Sequence, residues 1–459
     1  MKAALVFPRT MYKSGDPPLG IAYIAAYLRK NTDAQINIID PTHYGSLSYV
    51  YDRLKYLQPD IVGIYFDTIM YKNSIKTAEY AKRLGSITVA GGPHATILPQ
   101  SLIKDDNIDI VTIGEGEQTF TEIVRAFKSK DWKNIPGIFY KEGGKIIENQ
   151  PRPLVEDINL LPMPARDLLE MDKYISSWYY LDSIDTGLTG TNIIASRGCP
   201  FRCSYCQPTL EKIFGRKLKL RNPENVISEM ESLKSDYNIK GAFFHDDTIT
   251  ADKRWINNFC SLLKKSRLDI RWGCNTRADT IDDNTIKLMK DAGLANVHLG
   301  IESANQRILD DVYQKGIKTS DVKTAVSLLN KNKVTIMGFF MLGAPGETKQ
   351  EIKNTIRFAS NLNIQEATFS IVSPLPKTGL YDLVEKLKFP ISNNFEDFNY
   401  YSSRAFKDGL HTYKELKKLQ LEALMAFYIK PNRIWYILKH FLSIRGAAKL
   451  IRKLTRFYK

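Results

Sequence analysis

Cysteine is scarce in this chain. There are five in 459 residues, and residues 1–190 hold none. Five cysteines, three of them bunched, do not make a disulfide framework. Histidine is rare too, with six spread along the chain, so the second pair of ligands that a closed structural zinc site needs is missing. No uninterrupted run of about 18 apolar residues occurs, so no spanning helix is expected. The opening apolar run, Ala3 to Phe7, is too brief for a secretory signal. No G-x-G-x-x-G follows it, so a dinucleotide is not favoured. Acidic residues are in deficit: 65 Lys and Arg face 50 Asp and Glu, for a net charge of +15. Much of that surplus is terminal, because from Lys414 onward twelve Lys/Arg stand against two Glu. The length implies about two to four domains, and the composition is that of an ordinary globular protein. These traits suit the reducing cytoplasm.

What is present is concentrated in Ser196-Arg197-Gly198-Cys199-Pro200-Phe201-Arg202-Cys203-Ser204-Tyr205-Cys206. Three cysteines stand there as C-x3-C-x2-C, fed by the strand-like run Thr191-Asn192-Ile193-Ile194-Ala195. Thiolates are soft, anionic ligands suited to iron–sulfur clusters and zinc. Three on one tight loop would hold three corners of a [4Fe–4S] cluster and leave the fourth iron open, which implies chemistry beyond electron storage. The bland alternative is three ordinary buried cysteines. Gly198, Pro200, Arg202 and Ser204 speak against it, since they make a loop and not a packed apolar strand. Cys260 reads as packing; Cys274 reads as core or as substrate-facing.

Strand-like and helical runs alternate on both sides of this loop. Before it, strands are expected at 3–7, 36–39, 61–66, 87–90 and 108–113, with helices at 20–30, 49–57, 72–84 and 117–128. Alternation at this spacing predicts right-handed βαβ units and a parallel sheet, with ligands beyond the carboxyl ends of the strands. Those ends carry Pro17-Pro18-Leu19-Gly20, Asp67-Thr68, Gly91-Gly92-Pro93-His94 and Gly114-Glu115-Gly116-Glu117. A small hairpin near 135–145 and the proline-dense stretch around Pro151, Pro153, Pro162 and Pro164 predict a connection over 136–190. Trp178, Tyr179 and Tyr180 within it read as core or as cavity lining.

After the loop, strands are expected at 241–245, 270–275, 296–301, 336–342 and 367–372, separated by helices at 222–236, 254–267, 282–292 and 320–331. With the strand before the cysteines these make six βα units and a partial (β/α)6 barrel, whose functional residues belong at the strand ends. The ends are polar: His245-Asp246-Asp247, Asn275-Thr276-Arg277, Glu302-Ser303 and Gly343-Ala344-Pro345-Gly346-Glu347. Asp246 and Asp247 read equally as helix caps. The last segment, 386–459, ends in basic amphipathic stretches around Gly446. It reads as a helical cap with a solvated basic face or as a membrane-surface contact. Nucleic-acid binding ranks lower, because no recognition module is present.

Cys199-x3-Cys203-x-Tyr205-Cys206 after a first strand resembles the signature of the radical S-adenosylmethionine (SAM) enzymes. The resemblance implies that Cys199, Cys203 and Cys206 ligate the cluster and that SAM chelates the open iron. It places Tyr205 near the adenine and Glu302, in Gly300-Ile301-Glu302-Ser303, on the ribose hydroxyls. Gly343 and Gly346 would let the backbone approach adenine; the stretched spacing there leaves Glu347 without an assigned role. Arg277 would face the SAM carboxylate, or pair with Asp279 or Asp246.

The order of the glycine loops resembles the cobalamin (B12)-binding domain found ahead of many radical SAM modules. Pro18, Leu19, Gly20, Gly91, Gly92, His94, Gly114, Glu115 and Gly116 are the residues this assigns to cobalamin. The D-x-H-x-x-G motif of a cobalt-ligating His is absent, and Asp40-Pro41-Thr42-His43 lacks its spacing, so a base-off form is implied with His94 as a loop residue. A Rossmann-like scaffold without cobalamin is the alternative.

The expected architecture is α/β. It has a Rossmann-like cobalamin-binding domain at 1–135, a linker at 136–190, a partial TIM-type radical SAM barrel at 191–385 and a basic helical region at 386–459. The implied activity is reductive cleavage of SAM to methionine and a 5′-deoxyadenosyl radical, followed by methyl transfer through methylcobalamin to an unactivated carbon of a small-molecule or lipid substrate. An electron donor such as flavodoxin or ferredoxin is implied, in the cytoplasm or peripherally at the inner membrane surface. Ring formation or oxidation without methyl transfer is the alternative within the class. Methylthio transfer to tRNA would need further cysteines within 1–190, and a B12-sensing regulator is the reading from outside enzymes.

Overall fold

The structure is a computed structural model that describes residues 1–11, 13–178, 188–431 and 433–434. The chain divides into two compact units, Met1–Ser177 with Thr209–Lys219, and Trp178–Pro208 with Leu220–Lys459.

The first unit runs β1 (Lys2–Val6), α1 (Leu19–Asn31), β2 (Gln35–Ile39), α2 (Leu47–Leu57), β3 (Ile61–Tyr65), α3 (Tyr71–Arg83), β4 (Ile87–Gly91), α4 (Pro93–Ile97), α5 (Pro99–Leu102), β5 (Ile110–Thr112) and α6 (Gly116–Arg125). Strand order is β2-β1-β3-β4-β5, all parallel. Alternation along β1 explains the layering. Ala3 and Leu5 face a core shared with Ile21, Ala25, Phe120 and Ile123 of α1 and α6. Ala4 and Val6 face Val50, Leu54, Ala78 and Ala81 of α2 and α3. A parallel sheet buried on both faces needs such continuous apolar strands. Gly63 is bare because a Cβ there would lie 2.7 Å from Leu5 and 2.8 Å from Phe120.

The segment expected as a linker belongs to this unit as far as Ser177. Its hairpin, β6 (Ile138–Glu142) and β7 (Lys145–Glu148), adds to the sheet, with β6 antiparallel to β5. The physical reason is that three-residue β5 would otherwise leave an open edge, and Ile138, Phe139 and Tyr140 are buried in covering it. Ala165 N donates to the Ala22 carbonyl at 3.0 Å, and the Tyr174 hydroxyl of α7 (Met171–Ser177) donates to Asp40. Thr209–Lys219, with α8 (Thr209–Phe214), also packs here.

The second unit is a six-stranded parallel sheet in sequential order: β8 (Gly190–Ile193), β11 (Gly241–Phe244), β12 (Arg271–Arg277), β13 (Leu294–Glu302), β14 (Thr335–Leu342) and β15 (Glu366–Ile371). The two-residue strands β9 (Ser196–Arg197) and β10 (Lys219–Leu220) are not part of this six-stranded sheet. Helices α9 (Pro223–Tyr237), α10 (Lys253–Ser266), α11 (Asp283–Asp291), α12 (Thr319–Lys331) and α13 (Lys349–Asn361) make the crossovers. With α14 (Gly379–Lys386) and α15 (Tyr413–Tyr428) following, this is the expected partial (β/α)6 barrel.

One face of the sheet is apolar: Phe244 and Trp272 pack edge-on against Phe259 of α10. On the opposite face Phe243, His298 and Phe339 form a ladder, with ring centroids 4.5 and 5.4 Å apart. Phe243 and His298 meet across β12 because that strand offers Gly273, where a Cβ would lie 3.0 Å from Phe243. Trp178 closes the start of the sheet, seated over Gly190 and Gly241 and donating from Nε1 to Asn192 Oδ1 at 2.9 Å. The edge of β15 is met by α15. Gln420 Nε2 donates to the Phe369 carbonyl at 2.7 Å, and the Tyr428 hydroxyl serves both the Ala367 carbonyl (2.9 Å) and the Ala367 N–H (3.1 Å). Tyr179, Tyr180 and the basic stretch from Trp435 onward lie outside the described residues.

Candidate active site

The cysteine loop leaves β8 under firm guidance. Asp246, after β11, accepts from Ala195 N at 3.0 Å and from the Ser196 hydroxyl. Burial pushes this carboxyl up to about 6, and the Ser196 and backbone bonds oppose that. Asp246 is therefore no helix cap; Asp252 caps α10, accepting from Trp255 N at 2.9 Å. Arg221 donates to the Ile194 carbonyl at 2.9 Å and pairs with buried Glu229. Gly198, at φ +84°, supplies the left-handed turn.

The loop is then pinned on two further sides. Ser204 donates from N to the Tyr313 carbonyl (2.8 Å) and from Oγ to the Val312 carbonyl (2.6 Å). Its own carbonyl accepts from Leu380 N at 2.9 Å, and the Gln207 carbonyl accepts from Gly379 N at 2.8 Å. Within the loop, the Cys203 carbonyl accepts from both Cys206 N and Gln207 N at 3.0 Å.

All three thiols are free of disulfides. Burial raises the Cys199 thiol and pushes Cys206 well above the usual thiol range, where Asp247 and the other two cysteines add to it. At Cys199 and Cys206 the protein alone therefore favours the protonated thiol, and metal coordination is what would make them thiolates. Three soft sulfur donors on one loop are the ligand chemistry that an iron–sulfur cluster takes.

Tyr205 of the loop meets Tyr313, Glu302 and Lys315. Tyr205 packs edge-on against Tyr313 at 5.5 Å, and its hydroxyl lies 3.3 Å from Glu302 Oε1. Glu302 sits at φ +66°, beyond a register shift in the β13–β14 pairing. Such a conformation in a non-glycine residue marks stored strain. Lys315 Nζ bridges Glu302 Oε1 and the Tyr205 hydroxyl, each at 3.0 Å.

Arg277 is already committed. Its Nε and one terminal nitrogen grip Asp279 (2.9 and 2.8 Å), that same nitrogen donates to the Lys315 carbonyl (2.7 Å), and the other lies 3.4 Å from Cys203 Sγ. The guanidinium also stacks 3.7 Å from the Phe201 ring centroid. The structure thus has the ion pair with Asp279, one of the two roles open in the sequence, and adds a contact to a cysteine sulfur.

Glu347 folds the turn after β14. One carboxylate oxygen accepts from Gly343 N (2.8 Å) and Ala344 N (3.0 Å), while the other, Oε1, is buried without a hydrogen-bond partner. Burial pushes it up to about 7 against those two amide bonds. A Cβ on Gly343 would meet Leu416 of α15 at 2.9 Å, whereas around Gly346 that space is empty. Gly346 is the one that leaves the backbone open.

In the first unit, Gly20 opens α1 with nothing within 4 Å of where a Cβ would stand, and at Gly114 the nearest atom is 3.8 Å away. Pro18 and Leu19 lead into α1 and are buried. These openings fit a bulky ligand at the strand ends. Other expected positions are filled by protein. A Cβ on Gly91 would meet Thr112 at 2.7 Å, on Gly92 the Phe66 carbonyl at 2.8 Å, and on Gly116 Ile24 at 2.9 Å. His94 is fully buried, 3.1 Å from the Thr68 hydroxyl through Nδ1, and burial pushes its imidazole down to about 4. Glu115 accepts from Lys219 Nζ and from Val155 N, both at 3.0 Å. Its carboxylate is thus engaged in a buried ion pair.

Lys315, Tyr313 and the Glu115–Lys219 pair escaped the sequence reading. Lys315 stands in Val312-Tyr313-Gln314-Lys315-Gly316, where nothing local separates it from a surface lysine.

Residues 193–359 match the Radical SAM superfamily and residues 13–124 the B12 binding domain. A Pyrococcus horikoshii protein named as the uncharacterized methyltransferase PH0819 is 33% identical over 472 residues, covering 100% of this chain and 99% of that one. The anaerobic magnesium-protoporphyrin IX monomethyl ester cyclase of Rubrivivax gelatinosus is 31% identical, over 84% of this chain and 69% of its own length. Among solved structures, the radical SAM methyltransferase TsrM from Kitasatospora setae, with cobalamin and a [4Fe–4S] cluster bound, shares the fold. Its TM-score is 0.70 at 18% identity, covering 85% of this chain and 79% of that one. The chain is an enzyme of the cobalamin-dependent radical SAM family, to which SAM, a [4Fe–4S] cluster and cobalamin belong as cofactors.

Proposed function

We propose that the protein transfers a methyl group to an unactivated carbon of a small-molecule or lipid substrate, with Cys199, Cys203 and Cys206 holding the cluster. The observation that carries this reading is the pinned three-thiol loop, whose Tyr205 meets Glu302 at the end of β13 and Lys315. The cluster held by Cys199, Cys203 and Cys206 would supply one-electron reduction of the SAM sulfonium, and cobalamin would supply methyl-carrying capacity. Glu302 offers carboxylate oxygens to the ribose hydroxyls, Tyr205 a ring face to adenine, and Gly346 an open backbone. Loops at Pro18, Leu19, Gly20, Gly91, Gly92, His94, Gly114, Glu115 and Gly116 frame the cobalamin site, with Gly20 and Gly114 its open positions.

Anaerobic turnover of cell extract with methyl-labelled SAM tests the reaction type. Label in a product made only with the enzyme is expected. An unlabelled, cyclised product would instead favour ring formation, the reading suggested by the 31%-identical relative named as a cyclase.

The lipid alternative for the substrate has its own support. Leu421, Met425 and Ile429 are 45%, 51% and 61% exposed and recur every four residues, the first two on α15 and the third at its C-cap. Basic sequence follows them. No helix among the described residues is long and apolar enough to cross a membrane, so any contact would be at the surface. Wild type is expected to co-sediment with anionic vesicles at low salt and the L421E/M425E/I429E variant to stay in the supernatant; equal partitioning of the two would remove this support.

A further inference from the structure

Taking Cys199, Cys203 and Cys206 as the cluster ligands proposed above, we propose that Arg277 and Lys315 form a buried cation pair that eases one-electron uptake at the site, Arg277 acting directly on the Cys203 sulfur.

The geometry is specific. Three contacts fix the guanidinium: the fork onto Asp279, the bond to the Lys315 carbonyl and the stack on Phe201. Together they leave a single terminal nitrogen aimed at Cys203 Sγ, 3.4 Å away. A guanidinium recruited only to neutralise Asp279 needs neither the aromatic stack nor the sulfur. Lys315 sits on the same frame, since its carbonyl receives Arg277 while its ammonium reaches the hydroxyl of Tyr205, the residue before Cys206. Both side chains are buried, at 7% exposure for Arg277 and 4% for Lys315.

Adding an electron to a site with three thiolates increases negative charge beside the two buried cations. Charge-assisted N–H bonds to the ligand sulfurs and nearby buried cations stabilise the reduced form, and these are the means by which a protein sets such potentials. Each cation has a carboxylate behind it, Asp279 for Arg277 and Glu302 for Lys315. These counter-charges let the cations remain charged in a buried place.

The opposing charges give the inference a signature that a merely structural salt bridge lacks. Full-length protein would be reconstituted anaerobically, its iron and sulfide measured, and the cluster titrated with a low-potential one-electron reductant under EPR. R277Q removes the cation and is expected to shift one-electron uptake about tenfold toward the oxidised form, or about 59 mV downward. D279N removes the counter-charge and is expected to shift the potential upward. R277K keeps the charge without the fork and should fall between R277Q and wild type, and K315M should shift downward like R277Q.

An R277Q protein with full iron that titrates at the wild-type potential would overturn the inference, as would R277Q and D279N moving in the same direction. If R277Q does not hold iron, R277K and D279N decide by the same criterion of sign. C203A separates this inference from the ligand reading beneath it. A cluster retained in C203A removes the ligand reading; a cluster lost in C203A with no shift in R277Q removes only the role of the cations.

Discussion

Reconstituted anaerobically, C203A is expected to lack the visible absorbance of a [4Fe–4S] cluster and to form no detectable 5′-deoxyadenosine from SAM, while its first unit still binds cobalamin. The substitution is well placed to separate chemistry from folding. The turn around Cys203 is held by backbone, through its carbonyl and through Ser204, Gln207, Gly379 and Leu380, and alanine keeps all of those bonds. What disappears is one sulfur of three and the acceptor beside Arg277. A charged donor left without its acceptor costs on the order of 1.5–3 kcal/mol, which a protein of this size tolerates. No side chain can replace the radical chemistry of the missing cofactor, so the loss of cleavage should be complete and not graded. C260A is the matched control: Cys260 is buried on α10, away from the loop in sequence and in role, and should keep its cluster. Undiminished cleavage by C203A would dismiss the assignment of the loop.

The second large effect concerns stability. W178A should destabilise the second unit by about 3–5 kcal/mol, the range for deleting a fully buried aromatic side chain. Trp178 is wholly buried among Phe243, Ala295 and Leu188. Gly190 and Gly241 are bare beneath its ring, which lies 2.7 and 3.1 Å from where their Cβ atoms would stand, so neither backbone can relax inward with a side chain of its own. The Asn192 side-chain oxygen would also lose the indole N–H in a buried setting. For a unit of this length the shift is on the order of 10 °C in the midpoint of thermal unfolding. W178F should lose less, since it keeps most of the volume and forfeits the hydrogen bond. An unchanged midpoint in W178A would show that the ring is not the floor of this sheet.

Sequence carried a large part of this molecule because most of it is built from local rules. The βα alternation is readable wherever an apolar run of strand length is followed by a helical period, and the six strands of the second unit stand within a few residues of where those runs predicted them. Three cysteines on one short loop are legible for the same reason: their spacing is local.

The features that escaped are non-local. The 138–148 hairpin was visible, but its pairing with β5 was not, since which edge a hairpin joins leaves no period in its own residues. Lys219 resembles any surface lysine until the fold brings it to Glu115, a partner far away in sequence. Lys315 and Arg277 meet through a backbone carbonyl, a contact that no side-chain pattern encodes. Asp246 had the look of a cap because it stands at a strand end before a helix; its partners proved to be Ala195 and Ser196, just beyond β8.

The way α15 meets the edge of β15 has a consequence for how the chain is made. Synthesis runs from the amino end, so the sixth strand leaves the ribosome well before Gln420 and Tyr428 exist to occupy its outward-facing amides and carbonyls. During that interval the nascent sheet presents an unprotected template to other nascent chains, the condition under which strand addition between molecules begins. Helix α15 therefore acts as a late-arriving guard, and in the interval before its arrival this edge is exposed to misassembly.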